Sequence, residues 1–352
     1  HSDSSAASDV YKRQFQGRNR MKILHCKEYG PVDNLVWEEI DIQEPQDNEV
    51  QIEIKAAALN FPDFLIVQGL YQFKPELPFA PGNEGAGTVT KIGKNVTKFK
   101  EGDRVYFMAP YGAFAEKINI SEFGVFPIPE DITFQLAASY QMAYGTSYHA
   151  LVQRGALSSD DEVLILGASG GVGLAALDIA KAKGARVVVG VSTEEKAQIC
   201  RNYGADDAVI YGSGPKDKEE AKAFSAELKA KSAKGGYDLS YDPIGDCYAE
   251  PAFRAIGWKG KYLVVGFAAG QIPKLPINLT LLKGASVVGV FWGAFTGREF
   301  EENQKNISDI NEMLGKGQIK PLISKEIPME NAVEAIKLIG SRGVVGKVVL
   351  VN

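Results

Sequence analysis

The run Val163-Leu164-Ile165-Leu166-Gly167-Ala168-Ser169-Gly170-Gly171-Val172-Gly173 sets a short, wholly apolar segment directly against a glycine-rich turn, with helix-forming residues behind it. A continuous apolar run of this length, followed by a helical pattern, reads as a strand buried on both faces, the kind found in parallel sheets. Small residues at 168, 170 and 173 occupy the three glycine positions of the dinucleotide-binding fingerprint, with Ala168 replacing the first. In such a turn, backbone N–H groups and the positive end of the following helix hold a pyrophosphate. The alternative is a tight strand-to-helix turn without a ligand, and the alternation around it weighs against that.

From this point the chain alternates short apolar strands with helical segments. Strands read at 163–167, 185–191, 208–211, 237–242 and 260–266, with a sixth at 285–290; helices read at 171–183, 194–203, 217–234 and 248–257. That succession implies a parallel sheet with helices on both faces. Upstream, VQIEIKAAA at 50–58 alternates over its first half, and runs at 88–92 and 103–107 sit between Gly, Asn and Pro clusters, so this part reads as a mostly β domain. A boundary falls near Gln135, where LAASYQMAYGTSYHALV takes helical spacing. The tail, with helices at 298–316 and 330–340 and the strand KVVLV, is assigned back to the first domain because the parallel sheet is already complete. The expected division is a leader at 1–20, one domain from 21–142 and 293–352, and a nucleotide-binding domain at 143–292 inserted between them.

Composition narrows the function classes. A chain of 352 residues holds two cores, and 24% charged residues with a net charge of -5 lack the basic excess that grips a nucleic-acid backbone. The three cysteines, Cys26, Cys200 and Cys247, form no CxxC or Cys/His pattern, which points to a reduced, cytoplasmic chain without a structural zinc lobe. No apolar stretch approaches the roughly 18 to 20 residues of a membrane-spanning helix. Residues 1–20 carry no apolar core and precede Met21-Lys22-Ile23-Leu24, which reads like a native start, so they are expected to be a non-native or disordered leader.

Two stretches bear on chemistry. The strand after the glycine-rich turn ends Val191-Ser192-Thr193-Glu194-Glu195-Lys196, with no acid at its tip to take a ribose diol, which favours NADPH over NADH. Ser192 and Thr193 are placed to donate to a 2'-phosphate and Lys196 to neutralise it, although Lys196 also fits a plain surface lysine in the first turn of a helix. The stretch PGNEGAG, 81–87, packs three glycines around Glu84, which leaves a metal ligand, a catalytic acid or part of a turn as its readings.

Several ordered motifs then add up. Ala58-Leu59-Asn60-Phe61-Pro62-Asp63, Gly69-Leu70-Tyr71, PGNEGAG, Gly102-Asp103-Arg104-Val105, the turn GASGGVG, Tyr241-Asp242-Pro243-Ile244-Gly245 and Gly346-Lys347-Val348-Val349-Leu350 together resemble the zinc-independent quinone oxidoreductase branch of the medium-chain dehydrogenase/reductase superfamily. The resemblance runs from about Met21 to the C-terminus. It implies an α/β chain in which a GroES-like irregular β domain accompanies a doubly wound Rossmann sheet, with NADPH in the cleft. By the same resemblance, Lys196, Tyr211 and Arg342 flank the 2'-phosphate and Thr146 stands near the nicotinamide ribose. Ser169, Gly170, Gly171, Val172 and Gly173 carry the pyrophosphate, and the backbone of Gly266, Phe267 and Ala268 approaches the carboxamide. Asn60 and Tyr71 line the nicotinamide and substrate cleft.

Zinc-holding relatives carry Cys at the position of Asn60 and His at that of Asn83, so no metal is expected here. Glu84 then reads as a structural carboxylate, with the glycines around it turning the backbone. The expected reaction is hydride transfer from NADPH to a quinone or to the β-carbon of an α,β-unsaturated carbonyl, with Asn60 or Tyr71 donating to the developing oxyanion. An enoyl-thioester reductase and an NADPH-binding protein with little turnover stay open as alternatives. A homodimer joined through Val287-Val288-Gly289-Val290 is expected.

Overall fold

The computed structural model describes residues 20–352. The chain divides into two compact units, the first running through Ser139 and adding Lys325–Ser341 and Val348–Asn352, the second made of Tyr140–Ser324 and Arg342–Lys347. The expected leader lies outside the described residues apart from Arg20, which opens the first strand.

In the first unit, β1 (Arg20–His25) and β2 (Val36–Asp41) form an antiparallel ribbon. β3 (Glu49–Ala58) leads into the short helix α1 (Phe61–Ile66); β4 (Glu84–Ile92), β5 (Arg104–Met108), β6 (Lys117–Ser121) and β7 (Val125–Pro127) follow. β3 is the hub. It pairs antiparallel with β4, with β6 and, through Val349 opposite Ala58, with the last strand, Lys347–Val351. Its buried Val50, Ile52 and Ile54 follow the alternation seen in the sequence, and Ala56, Ala57 and Ala58 are buried together where three strands crowd.

The stretch PGNEGAG departs from its reading as a turn. Only Gly82, at φ +91°, turns the chain, whereas Glu84–Gly87 already belong to β4. Gly85 and Gly87 are there for close approach: a Cβ on Gly87 would stand 1.9 Å from the Glu53 carbonyl oxygen of β3, and one on Gly85 would stand 2.6 Å from the Phe107 ring of β5.

The second unit opens with α2 (Gln141–Tyr148), which runs into a π-helical turn at His149–Arg154. β8 (Glu162–Leu166), α3 (Gly171–Ala182), β9 (Arg186–Val191), α4 (Glu194–Asn202), β10 (Asp207–Ile210), α5 (Lys218–Lys231), β11 (Tyr237–Asp242), α6 (Ala249–Ala255), β12 (Ile256–Val264), α7 (Asn278–Lys283) and β13 (Ser286–Gly289) follow in the expected alternation. The six strands are parallel, in the order β10-β9-β8-β11-β12-β13. The order reverses beside β8, and the ligand crevice of an open parallel sheet lies at such a switch point, outside the carboxyl ends of the strands. All five residues of β8 are buried, so its apolar run is explained by cover on both faces.

The boundaries differ from those expected, since 293–324 and 342–347 pack with the nucleotide-binding sheet instead of the β domain. α8 (Trp292–Arg298) and α9 (Phe300–Gly315) replace the single helix read at 298–316. Ile310, Met313 and Ile319 share a core with Tyr140, Tyr144 and Tyr148, and Tyr140 Oη donates to Asn311 Oδ1 at 2.7 Å. A sheet that looks complete by strand count still has a helix layer to fill, and α9 with its buried face fills it. No helix among the described residues is long and apolar enough to cross a membrane.

Candidate functional site

The glycine-rich turn leaves β8 through Gly167 at φ +58° and enters α3 at Gly170, whose N–H closes the turn onto the Gly167 carbonyl at 3.1 Å. The first N–H groups of a helix have no partner within it, so Gly171, Val172 and Gly173 face outward as an anion cradle. Gly173 allows α3 to lie against the strand end, since a Cβ there would fall 2.4 Å from the Gly167 carbonyl oxygen. The Ser169 carbonyl accepts from Gly346 N–H at 2.8 Å, so the residues just before the last strand brace the turn from its side. These contacts suit a dinucleotide pyrophosphate: backbone donors converge, and no side chain occupies the approach at Gly170.

At the tip of β9 stands Ser192, with no acid beside it. Lys196 Nζ reaches Ser192 Oγ at 3.2 Å and the Arg342 carbonyl oxygen at 3.4 Å, so two of the three expected cluster members meet through one ammonium group. Neither Lys196 nor Arg342 forms a salt bridge among the described residues, although sixteen other ion pairs are present. A Lys196 ammonium held on Ser192 Oγ and a backbone carbonyl, without a carboxylate, suits a bound phosphate better than a surface ion pair. Thr193 also caps α4, its hydroxyl oxygen accepting from Lys196 N–H at 3.3 Å, which leaves its O–H able to donate.

Tyr211 also takes a more structural place. Its ring packs against Phe224 and Tyr248, the latter with centroids 4.6 Å apart, and its hydroxyl is hydrogen-bonded to the backbone of Gly167. Burial, then the neighbouring Tyr248 and Asp242, push that hydroxyl well above the ordinary tyrosine range, so it stays protonated under the glycine-rich turn. Tyr248 was missed in the sequence. It lies between Tyr211 and Gly214 and within the electrostatic reach of Arg342.

Gly266, Phe267 and Ala268 follow β12 as a turn clamped to the 242–245 loop. Gly266 N–H donates to the Asp242 carbonyl at 3.3 Å and Ala268 N–H to the Pro243 carbonyl at 3.1 Å, so two of the three amides expected to face a carboxamide are already engaged. Asp242 holds this loop from inside: its carboxylate accepts from Ile244 N–H at 2.8 Å, from Gly245 N–H at 2.9 Å and from Tyr262 Oη. Burial raises its pKa, and those three donors oppose the shift. Thr146 lies half-buried in α2, and its neighbour Ser147 ties α2 to the turn by donating from Oγ to the Val172 carbonyl at 2.9 Å. A serine inside an apolar helical stretch carries no signal of that contact, so sequence reasoning passed over it.

In the first unit, α1 begins at Asn60, which forms a capping box with Asp63; Asp63 Oδ2 accepts from Asn60 N–H at 2.8 Å. Asn60 Nδ2 donates both to Asn83 Oδ1 at 2.9 Å and to Glu84 Oε1 at 2.8 Å. Asn60, Asp63 and Glu84 are buried, and Asn83 and Tyr71 are half-buried. The role expected of Asn60, a donor to substrate oxygen, is therefore corrected: both of its amide hydrogens are committed inside the protein. Burial and then the nearby Asp63 carboxylate raise the Tyr71 hydroxyl, which keeps its proton at neutral pH. The donor set at 60, 83 and 84 is two neutral amides and one carboxylate, with neither thiolate nor imidazole, and it does not suit tetrahedral zinc. Among the described residues no three His, Cys, Asp or Glu side chains gather as a metal-binding group.

Residues 46–130 match the alcohol dehydrogenase GroES-like domain, and 171–309 match the zinc-binding dehydrogenase model, a span that excludes positions 60, 83 and 84. The bovine (Bos taurus) quinone oxidoreductase-like protein 2 is 32% identical over 335 residues, covering 95% of this chain and 93% of the relative. The chain belongs to the quinone oxidoreductase branch of the medium-chain dehydrogenase/reductase superfamily. Human (Homo sapiens) quinone oxidoreductase is 29% identical, with 95% of this chain and 98% of that one covered. Among solved structures, a mycobacterial protein complexed with NADPH matches with a TM-score of 0.86 at 27% identity, over 94% of this chain and 100% of that one. Escherichia coli quinone oxidoreductase complexed with NADPH matches with a TM-score of 0.83 at 27% identity, over the same shares.

Proposed function

We propose that the chain is an NADPH-dependent reductase of a quinone or an α,β-unsaturated carbonyl compound, working without a metal. The observation that carries the choice of cofactor is the Lys196 ammonium, held between Ser192 Oγ and the Arg342 backbone carbonyl at a strand tip that lacks an acid. Two NADPH-complexed structures among its relatives support the same cofactor. Bound there, the cofactor supplies a hydride at its nicotinamide. The chain's own residues bind and orient it: Gly171, Val172 and Gly173 hold the pyrophosphate through backbone N–H groups, and Ser192, Lys196 and Arg342 hold the 2'-phosphate. Tyr71, protonated and half-buried, donates a hydrogen bond to the acceptor. The absence of a Lewis-acid ligand set favours acceptors that are electrophilic by conjugation over alcohols, whose oxidation calls for a polarised alkoxide.

Lys196→Ala tests the cofactor assignment. Removing one charge-assisted contact of about 1.5–3 kcal/mol weakens NADPH binding by roughly 10- to 100-fold. The NADH Km stays as it was, measured by loss of reduced-nicotinamide absorbance with a quinone and an enone. An unchanged NADPH/NADH preference would overturn the 2'-phosphate assignment.

The same reading includes a homodimer. β13 is an edge strand of the six-stranded sheet, and Trp258, Ile277, Leu281, Leu282 and Val287 are exposed on and near it. Val287→Glu is expected to yield monomers in sedimentation velocity, and a dimer that survives this change would exclude the edge as the joint.

A further inference from the structure

Two fixed groups decide which way a pair of neighbouring amides faces in the first unit. A carboxylate accepts hydrogen bonds, and a backbone N–H only donates. Asn60 sits between one of each. Its amide nitrogen meets Glu84 Oε1 at 2.8 Å, while its side chain takes the Asp63 backbone N–H in the capping box. Its orientation is thus set from both ends, and the second hydrogen on Nδ2 runs to Asn83 Oδ1 at 2.9 Å. Asn83, receiving through its oxygen, turns its own NH2 away from the pair. That NH2 has no partner among the described residues, on a half-buried side chain at the mouth of β4.

We propose that Asn83 is a second catalytic donor, beside Tyr71, to the acceptor's carbonyl oxygen, with Asn60 and Glu84 as positioning residues behind it. This rests on the reading of the chain as a reductase of conjugated carbonyls. Addition of one hydride, carrying two electrons, to a conjugated carbon breaks a carbon–carbon π bond and drives an electron pair onto the carbonyl oxygen. The Asn83 N–H groups meet that oxygen while it is anionic; a proton from solvent then completes the enol, and with a quinone the added hydrogen leaves the ring carbon as a proton while the second oxygen takes one from solvent, which gives the hydroquinone. The oriented amide supplies by hydrogen bonding the charge stabilisation that a metal supplies elsewhere. The buried carboxylate matters because it prevents the flip that would present an amide oxygen to an oxyanion. The same chain of bonds explains why Glu84 is retained with no metal to attend.

The test uses the full chain, NADPH, a benzoquinone and methyl vinyl ketone. Asn83→Leu, close in volume and without a donor, is expected to lower kcat/KM for the acceptor about 100-fold through kcat. NADPH affinity, read by fluorescence titration, stays unchanged. Asn83→Asp keeps the oxygen that Asn60 bonds, so it preserves the local packing while removing the donor, and it is expected to lose at least as much. Glu84→Gln frees the amides to flip and lowers kcat about 10-fold with the KM for NADPH unaltered, a split that loss of structure alone would not produce. Unchanged acceptor turnover in either Asn83 variant overturns the role of Asn83 and leaves the reductase assignment standing. No NADPH oxidation by the unsubstituted protein with either acceptor overturns that assignment, and the role of Asn83 falls with it.

Discussion

Gly173→Ala is expected to weaken NADPH binding by at least about 100-fold and to lower stability by about 1–3 kcal/mol. The cause is local and steric. The added Cβ would lie 2.4 Å from the Gly167 carbonyl oxygen and 2.6 Å from Ala168 Cα, and both of those atoms are backbone at the end of a strand buried in the sheet. Neither can give way as a flexible side chain does, so the start of α3 has to move away. That motion shifts the outward N–H groups of Gly171 and Val172 from where they converge on a pyrophosphate. A hydrogen-bonding cradle loses affinity steeply when its donors are displaced, because each bond depends on distance and alignment. Calorimetric titration with NADPH and thermal unfolding of the same sample check the two effects. Affinity within twofold of the unsubstituted protein would show that the cofactor is held elsewhere.

Asn60→Asp is expected to destabilise the protein by about 3 kcal/mol at neutral pH and much less in acid. The substitution replaces the donor that faces Glu84 with a second carboxylate, in a site where both residues are buried. Two carboxylates at that separation do not both ionise, so one takes up a proton and the pair titrates as a unit. Its folded pKa is raised above the unfolded value of about 4. The folded variant then binds more protons than the unfolded chain above that pH, so its stability falls as pH rises. Below the unfolded pKa both forms are protonated and the penalty vanishes. Urea unfolding across a pH series reads the slope directly. A variant whose loss is the same at every pH would mean that the new carboxyl turns away from Glu84.

The parallel sheet was legible because its evidence is local. An apolar run, a turn of small residues and a helical pattern sit next to one another in the chain, and each is decided by neighbours within a few residues. The six strands of the sheet lie within a few residues of their expected positions, although β12 begins at Ile256, earlier than read. The tail was misassigned for the opposite reason. Residues 293–324 carry a helical pattern that says which face is apolar but not which core receives it, and that core includes Tyr140, more than 150 residues earlier. PGNEGAG was misread because glycine serves both turns and close approach. Only the neighbouring strands, with Glu53 and Phe107 in place, distinguish Gly82 from Gly85 and Gly87.

By itself, the sequence determined the class of fold, the place of the dinucleotide turn and the absence of a thiolate and an imidazole at positions 60 and 83. Residue type and local spacing are sufficient for such conclusions, since strand burial, turn geometry and ligand chemistry are short-range properties. Tertiary structure decided which groups are still available to act. Asn60, the donor suggested by its position in the chain, has its hydrogens taken by Asn83 and Glu84, residues brought beside it by β4. Tyr211 is folded beneath the turn, packed on Phe224 and Tyr248. A hydrogen-bonding group is defined by the partners it already has, and those partners come from parts of the chain that only folding brings together.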